Sequence, residues 1–124
     1  MDEVAERQSW KTLPEPVQRE RFTISWAFSK EQGDKLRRGL IPRVMEERWF
    51  VFYESGWLFC CRSWTGAFIF GLRLVENSNG VEATECWVSR DPEQYLGSSI
   101  EEDKAALTDL ISYMLERDPT DEWW

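Results

Sequence analysis

The sequence predicts an α+β domain: an antiparallel β-meander of about five strands, with a C-terminal amphipathic helix packed across one face. Two observations predict it. Between Arg48 and Val75, three apolar runs are separated by Glu54-Ser55-Gly56-Trp57 and Trp64-Thr65-Gly66-Ala67, where glycine supplies the positive φ of a two-residue hairpin turn. Between Ile100 and Leu115, the residues Ile100, Leu107, Leu110, Ile111, Met114 and Leu115 recur at helical spacing behind Ser99-Ile-Glu-Glu102, a capping-box pattern.

The elements follow in order. Residues 1–19 lack periodicity and carry Pro14 and Pro16, so they read as an N-terminal arm with Trp10 as an anchor. Arg21 to Trp26 alternates, placing Phe22, Ile24 and Trp26 on one side of a first strand. Ser29 to Arg38 opens with a capping serine and runs from acids to bases, and Gly39 and Pro42 end it. Lys35 to Arg43 is a basic cluster diluted by Glu31, Asp34, Glu46 and Glu47, which reads as a solvated loop or short helix. Residues 20–118 form one domain, and 119–124 are an acidic tail ending in Trp123 and Trp124. Two adjacent tryptophans call for cover, by the domain itself or by a partner.

The turns set the expected register. With Ser55-Gly56 and Thr65-Gly66 as loop residues, Phe50 faces Cys61, Phe52 faces Phe59, Phe59 faces Leu72 and Cys61 faces Phe70. One face then collects Phe50, Phe52, Phe59, Cys61, Phe68, Phe70, Leu72 and Leu74, and the C-terminal helix is its natural lid. The hairpin Asn77-Ser-Asn-Gly80 adds Val81, Ala83, Glu85 and Trp87 to that face. The opposite, mixed face carries Trp49, Val51, Tyr53, Leu58, Cys60, Arg62, Ile69, Gly71 and Arg73. Arg90 to Tyr95 turns the chain off the sheet.

Composition narrows the chemistry. The 124 residues contain no histidine, which excludes histidine-based acid–base catalysis, histidine triads and dyads, and histidine metal sites. The glycines make no phosphate-binding fingerprint. Cys60, Cys61 and Cys86 are odd in number and lack metal-ligand spacing, so they read as reduced packing residues. Glu46/Glu47 and Glu101/Glu102/Asp103 offer carboxylates, but nothing marks an acid–base couple. No cofactor is implied. There is no apolar run of membrane-spanning length and no apolar segment behind the charged amino terminus, so a cytoplasmic chain without a membrane partner is expected.

The net charge is −8, and the last quarter supplies it: residues 91–124 hold 10 acids and 2 bases, whereas residues 1–90 hold 13 of each. That asymmetry disfavours nucleic acid and suits a basic protein partner. A single constellation points to a ligand. Trp49 lies opposite Arg62 on the mixed face, with Tyr53 and Arg73 along it, an arrangement suited to cation–π contact or to an anionic, nucleotide-like compound. Arginine stems covering apolar surface are the plainer account of the same residues.

Trp49-Phe-Val-Phe-Tyr-Glu54 and Leu58-Phe-Cys-Cys-Arg-Ser-Trp-Thr-Gly66 resemble the core of a family of small, largely uncharacterised bacterial proteins sharing a W-F-x-x-x-E…R-S-W-T-G pattern. The resemblance covers roughly residues 45–115, and Arg90 to Tyr95 is similar as well. It implies a bacterial source and a sheet-plus-helix domain, and it brings no catalytic residues.

Two functions follow as expectations. The first is a non-enzymatic interaction module, of immunity or antitoxin type, meeting a basic protein or a second copy, with Trp123 and Trp124 as partner-binding residues. The alternative is a small-molecule site for an anionic or nucleotide-like ligand at Trp49, Tyr53, Arg62 and Arg73. A hydrolase working through carboxylates alone is a third.

Overall fold

A computed structural model describes residues 4–44, 46–93, 95 and 99–116. Among these residues six strands, β1 (Arg19–Phe28), β2 (Trp49–Glu54), β3 (Trp57–Arg62), β4 (Phe68–Arg73), β5 (Val75–Asn77) and β6 (Gly80–Ser89), join two α-helices, α1 (Lys30–Arg38) and α2 (Ile100–Glu116). All pairings are antiparallel, in the order β1-β6-β4-β3-β2, with β5 pairing the start of β6. β5 prolongs β4 past Leu74, so β2, β3, β4–β5 and β6 form a meander, and β1 closes onto β6 as the fifth strand in width.

Local chemistry sets the element ends. Ser29 caps α1 by accepting from Gln32 N, Gln32 returns the bond to Ser29 N, and Gly39 leaves the helix at φ 73°. Ser99 accepts from Glu102 N ahead of α2. Ser55 and Gly56, at φ 53° and 89°, form the β2–β3 turn, and the β2–β3 register is the expected one: Phe50↔Cys61, Phe52↔Phe59, Trp49↔Arg62.

The β3–β4 register differs from expectation. The loop is four residues long, Ser63 to Gly66, closed by Arg62 N donating to the Ala67 carbonyl. This keeps Phe68 opposite Cys61, and then a bulge at Ile69 slips the pairing by one, giving Cys60↔Phe70, Phe59↔Gly71 and Leu58↔Leu72. A one-residue slip exchanges the faces, so Phe70, Leu72 and Leu74 leave the phenylalanine face. β6 makes a similar exchange. Thr84 and Glu85 are both exposed, and Val81 and Ala83 share the face of Cys86 and Val88 while Trp87 takes the other.

Two cores result, one on each side of the sheet. On the first, Leu107, Leu110, Ile111 and Met114 of α2 and Leu36 of α1 pack on Val51, Leu58, Cys60, Phe70, Leu72, Val81 and Val88. The helix therefore covers the face expected to stay open, because the bulge moved the apolar weight of β4 there. The second core gathers Phe50, Phe52, Phe59, Cys61, Phe68 and Trp87, and its lid is the N-terminal arm, through Ala5 and Trp10, with Ile41 and Trp57. Arg7 clamps the arm down. Its guanidinium lies 5.1, 5.7 and 5.5 Å from the ring centroids of Phe52, Phe59 and Phe68, and it donates to Glu54 from Nε and from Nη2 at 2.8 Å. Gly71 is required opposite Trp87, since a Cβ there would stand 2.2 Å from the indole nitrogen. Among the described residues no helix is long and apolar enough to cross a membrane.

Candidate functional site

The residues expected to form a ligand site do not share one surface. Arg62 does lie over Trp49, 4.7 Å from the ring, as their cross-strand pairing requires. Trp49 in turn stacks on Phe70 at 5.8 Å, so the pair is built into the helix-covered core. Burial lowers the Arg62 guanidinium from its ordinary value, and the nearby Tyr95 and Arg48 pull in opposite directions. Tyr53 is on the same face but is capped by Arg37, 5.7 Å away. Arg73 is on the opposite face, beside Trp57, because the β3–β4 slip pairs it with that residue. The four residues thus split between two sides of the sheet, and α1 and α2 occupy the face they were meant to open. Trp123 and Trp124 lie outside the described residues.

An open concavity is present instead at the end of the sheet, around the R-S-W-T-G turn. It is a groove of about 460 Å³ lined by Trp10, Lys11, Pro42, Arg43, Val44, Ser63 and Trp64, within the size range of small-molecule sites. Three segments build it. The arm contributes Trp10 and Lys11, and it is pinned there by Trp10 Nε1 donating to the Ser63 carbonyl at 2.7 Å and by Leu13 N donating to the Gly66 carbonyl at 2.9 Å. A Cβ at Gly66, which has φ 83°, would stand 2.9 Å from the Lys11 carbonyl, so glycine lets the arm approach this closely. The β3–β4 loop contributes Ser63 and Trp64, whose side chain is 62% exposed. The loop after α1 contributes Pro42, Arg43 and Val44.

That last loop is held by Glu47, which is buried. Its carboxylate accepts from Arg43 N at 3.0 Å and from the Tyr113 hydroxyl at 3.2 Å, and its carbonyl accepts from the Ser63 hydroxyl at 2.8 Å. Both walls of the groove are therefore tied to one residue. Lys11 and Arg43 supply positive charge, and among the described residues neither is in an ion pair, whereas Arg7, Arg19, Arg37 and Arg90 all meet acids.

Asp103, Tyr95 and the three cysteines are committed to structure. Asp103 is 1% exposed, and it accepts from Arg90 Nη2 and from the Tyr95 hydroxyl, both at 2.7 Å. Burial and the bond to Asp103 push the Tyr95 phenol up to about 12. Cys60, Cys61 and Cys86 are buried, and desolvation pushes the Cys61 and Cys86 thiols up to about 12 and Cys60 well above its usual value. Among the described residues no cluster of cysteine and carboxylate side chains has the arrangement of a metal site.

Sequence reading missed the groove, although it touched each wall: Trp10 as an anchor, Lys35 to Arg43 as the basic cluster, and the R-S-W-T-G run. What it lacked was the tertiary convergence of three segments far apart in the chain. No family model, curated protein or solved structure matches this chain.

Proposed function

We propose that the protein is a non-enzymatic binding module whose working surface is the Trp10–Trp64 groove. Its ligand is a small anionic compound with a flat aromatic part, as in a nucleotide. One observation carries this reading: two indoles and two cations share one open concavity of about 460 Å³. An indole face stacks an aromatic ring with little regard to its edge chemistry, and Lys11 and Arg43 meet phosphate or carboxylate. On a chain of net charge −8, such a local positive site selects by charge as well as by shape.

Calorimetric titration with AMP, adenosine, ribose 5-phosphate and inorganic phosphate tests it. AMP should bind, adenosine and ribose 5-phosphate should bind more weakly, and Trp64→Ala should weaken AMP binding by about 1–3 kcal/mol while the thermal transition is retained. AMP binding that survives Trp64→Ala unchanged, or no binding by any of the four, contradicts the assignment.

A second reading has its own support. The exposed residues of α2 include Glu101, Glu102, Asp109 and Glu116. An acidic helix surface of this kind suits a basic protein partner of the kind an immunity protein or antitoxin meets. Salt-dependent capture of a stoichiometric basic protein, lost on reversing Glu101 and Asp109 to lysine, would favour it over the ligand reading.

A further inference from the structure

Exposed apolar side chains gather at the groove end of the molecule. Among the described residues seven large apolar side chains are exposed, and four of them, Leu13, Val44, Trp64 and Tyr113, sit on segments tied together there. Leu13 N donates to Gly66, in the loop that carries Trp64. The Tyr113 hydroxyl and the backbone N–H of Arg43, the neighbour of Val44, both donate to the carboxylate of Glu47. Apolar and aromatic groups left exposed together mark a protein contact.

Charge divides this surface into two halves. Glu102, Asp109 and Glu116 recur every seven residues along α2, so they stand in one stripe of the helix, and Tyr113 lies in that stripe between the last two. Lys104, the one base of α2, is on another side of the helix, 5.8 Å from the ring of Phe22. Among the described residues Asp109 and Glu116 form no ion pair, and neither do Lys11 and Arg43. The acidic stripe therefore reaches the groove at Tyr113, and across the Glu47 link the groove presents its two cations.

We propose that this face is the contact between two copies of the chain related by a two-fold axis. Lys11 and Arg43 of each copy meet Asp109 and Glu116 of the other, with Val44, Trp64 and Tyr113 between them. A surface whose acidic and basic halves lie side by side is complementary to itself after a half-turn, and every charge pair then occurs twice. A basic protein would satisfy the acids of α2 but would set its own positive charge against Lys11 and Arg43. A second copy satisfies both halves. The contact does not depend on the ligand reading, and it is tested without ligand.

Sedimentation velocity of the full chain, from micromolar to millimolar concentration and without nucleotide, is the test. The unaltered chain should pass from monomer to dimer. Arg43 and Asp109 are both exposed, so Arg43→Glu and Asp109→Lys should keep the thermal transition. Each should weaken dimerisation roughly tenfold or more, because like charges then face each other twice. The double variant Arg43→Glu/Asp109→Lys should return to within severalfold of the unaltered chain. The exchange Lys11→Glu/Glu116→Lys repeats the design if either first variant fails to fold. A chain that stays monomeric at millimolar concentration overturns the proposal, as do single variants that dimerise like the unaltered chain or double variants that do not recover. Species beyond the dimer overturn the two-fold arrangement. A monomeric chain that holds a basic protein through Asp109 assigns the face to that partner and overturns the second copy.

Discussion

The indole Nε1 of Trp10 donates to the carbonyl of Ser63 at 2.7 Å, joining the N-terminal arm to the β3–β4 loop across 53 residues of sequence. This bond makes the groove a composite of arm and sheet. If the arm were lifted, the groove would lose Trp10 and Lys11 and the phenylalanine core would lose its cover. The arm therefore serves both as a wall of the groove and as cover for the phenylalanine core.

Arg7 is the strongest test of that link. It packs on three phenylalanine rings and forms a forked bond with Glu54. Arg7→Ala should cost about 1–2 kcal/mol, from lost cation–π contact and lost cover over apolar surface, visible as a Tm lower by several degrees. The hydrogen bonds from Arg7 hold Glu54 below its ordinary value near 4.5. A carboxylate depressed in the folded state adds stability above its unfolded pKa and loses it as pH falls through the folded value. The Tm difference between the unaltered chain and Glu54→Gln should therefore be constant near pH 7 and shrink as pH falls below about 4.5; a difference independent of pH would show that the charge on Glu54 contributes nothing.

Asp103 should be the costliest polar residue to remove. It is buried, and it accepts from both Arg90 and the Tyr95 hydroxyl, while Arg90 Nη1 is already buried with no partner among the described residues. Asp103→Ala leaves the guanidinium and the phenol underbonded at the start of α2, and it should cost about 3 kcal/mol. Urea unfolding should show a lower midpoint with an unchanged slope.

The cysteines should be inert in the native protein. All three are buried, with thiols held well above their ordinary value by desolvation, so the thiolate is scarce at neutral pH. Ellman's reagent should titrate none of them in buffer and three per chain in guanidinium; rapid native reaction of any of them would reveal an opening to the core.

Legibility in the sequence followed the range of the interactions. The turn at Ser55-Gly56, the cap at Ser29, the α2 periodicity and the Trp49–Arg62 contact each depend on residues close in sequence or paired across one tight turn, and all were readable. The bulge at Ile69 was not, because nothing in Phe68-Ile-Phe-Gly distinguishes a bulged strand from a regular one. That single slip reassigned Phe70, Leu72 and Arg73, and it sent α2 to the other side of the sheet. The arm was unreadable as a lid for a related reason. It has no periodicity of its own, and it is held by long-range contacts of Arg7, Trp10 and Leu13. The groove inherits both difficulties.

The most direct test of the ligand assignment follows the indole N–H resonances of the eight tryptophans while AMP is titrated into the ¹⁵N-labelled protein. The signals of Trp10 and Trp64 should shift together along one binding curve, with Trp26 and Trp87 stationary, and Trp64→Ala should weaken the curve by about 1–3 kcal/mol, the usual worth of one stacking platform. Shifts centred on Trp49, or none at Trp10 and Trp64 when other signals move, would contradict the groove as the site.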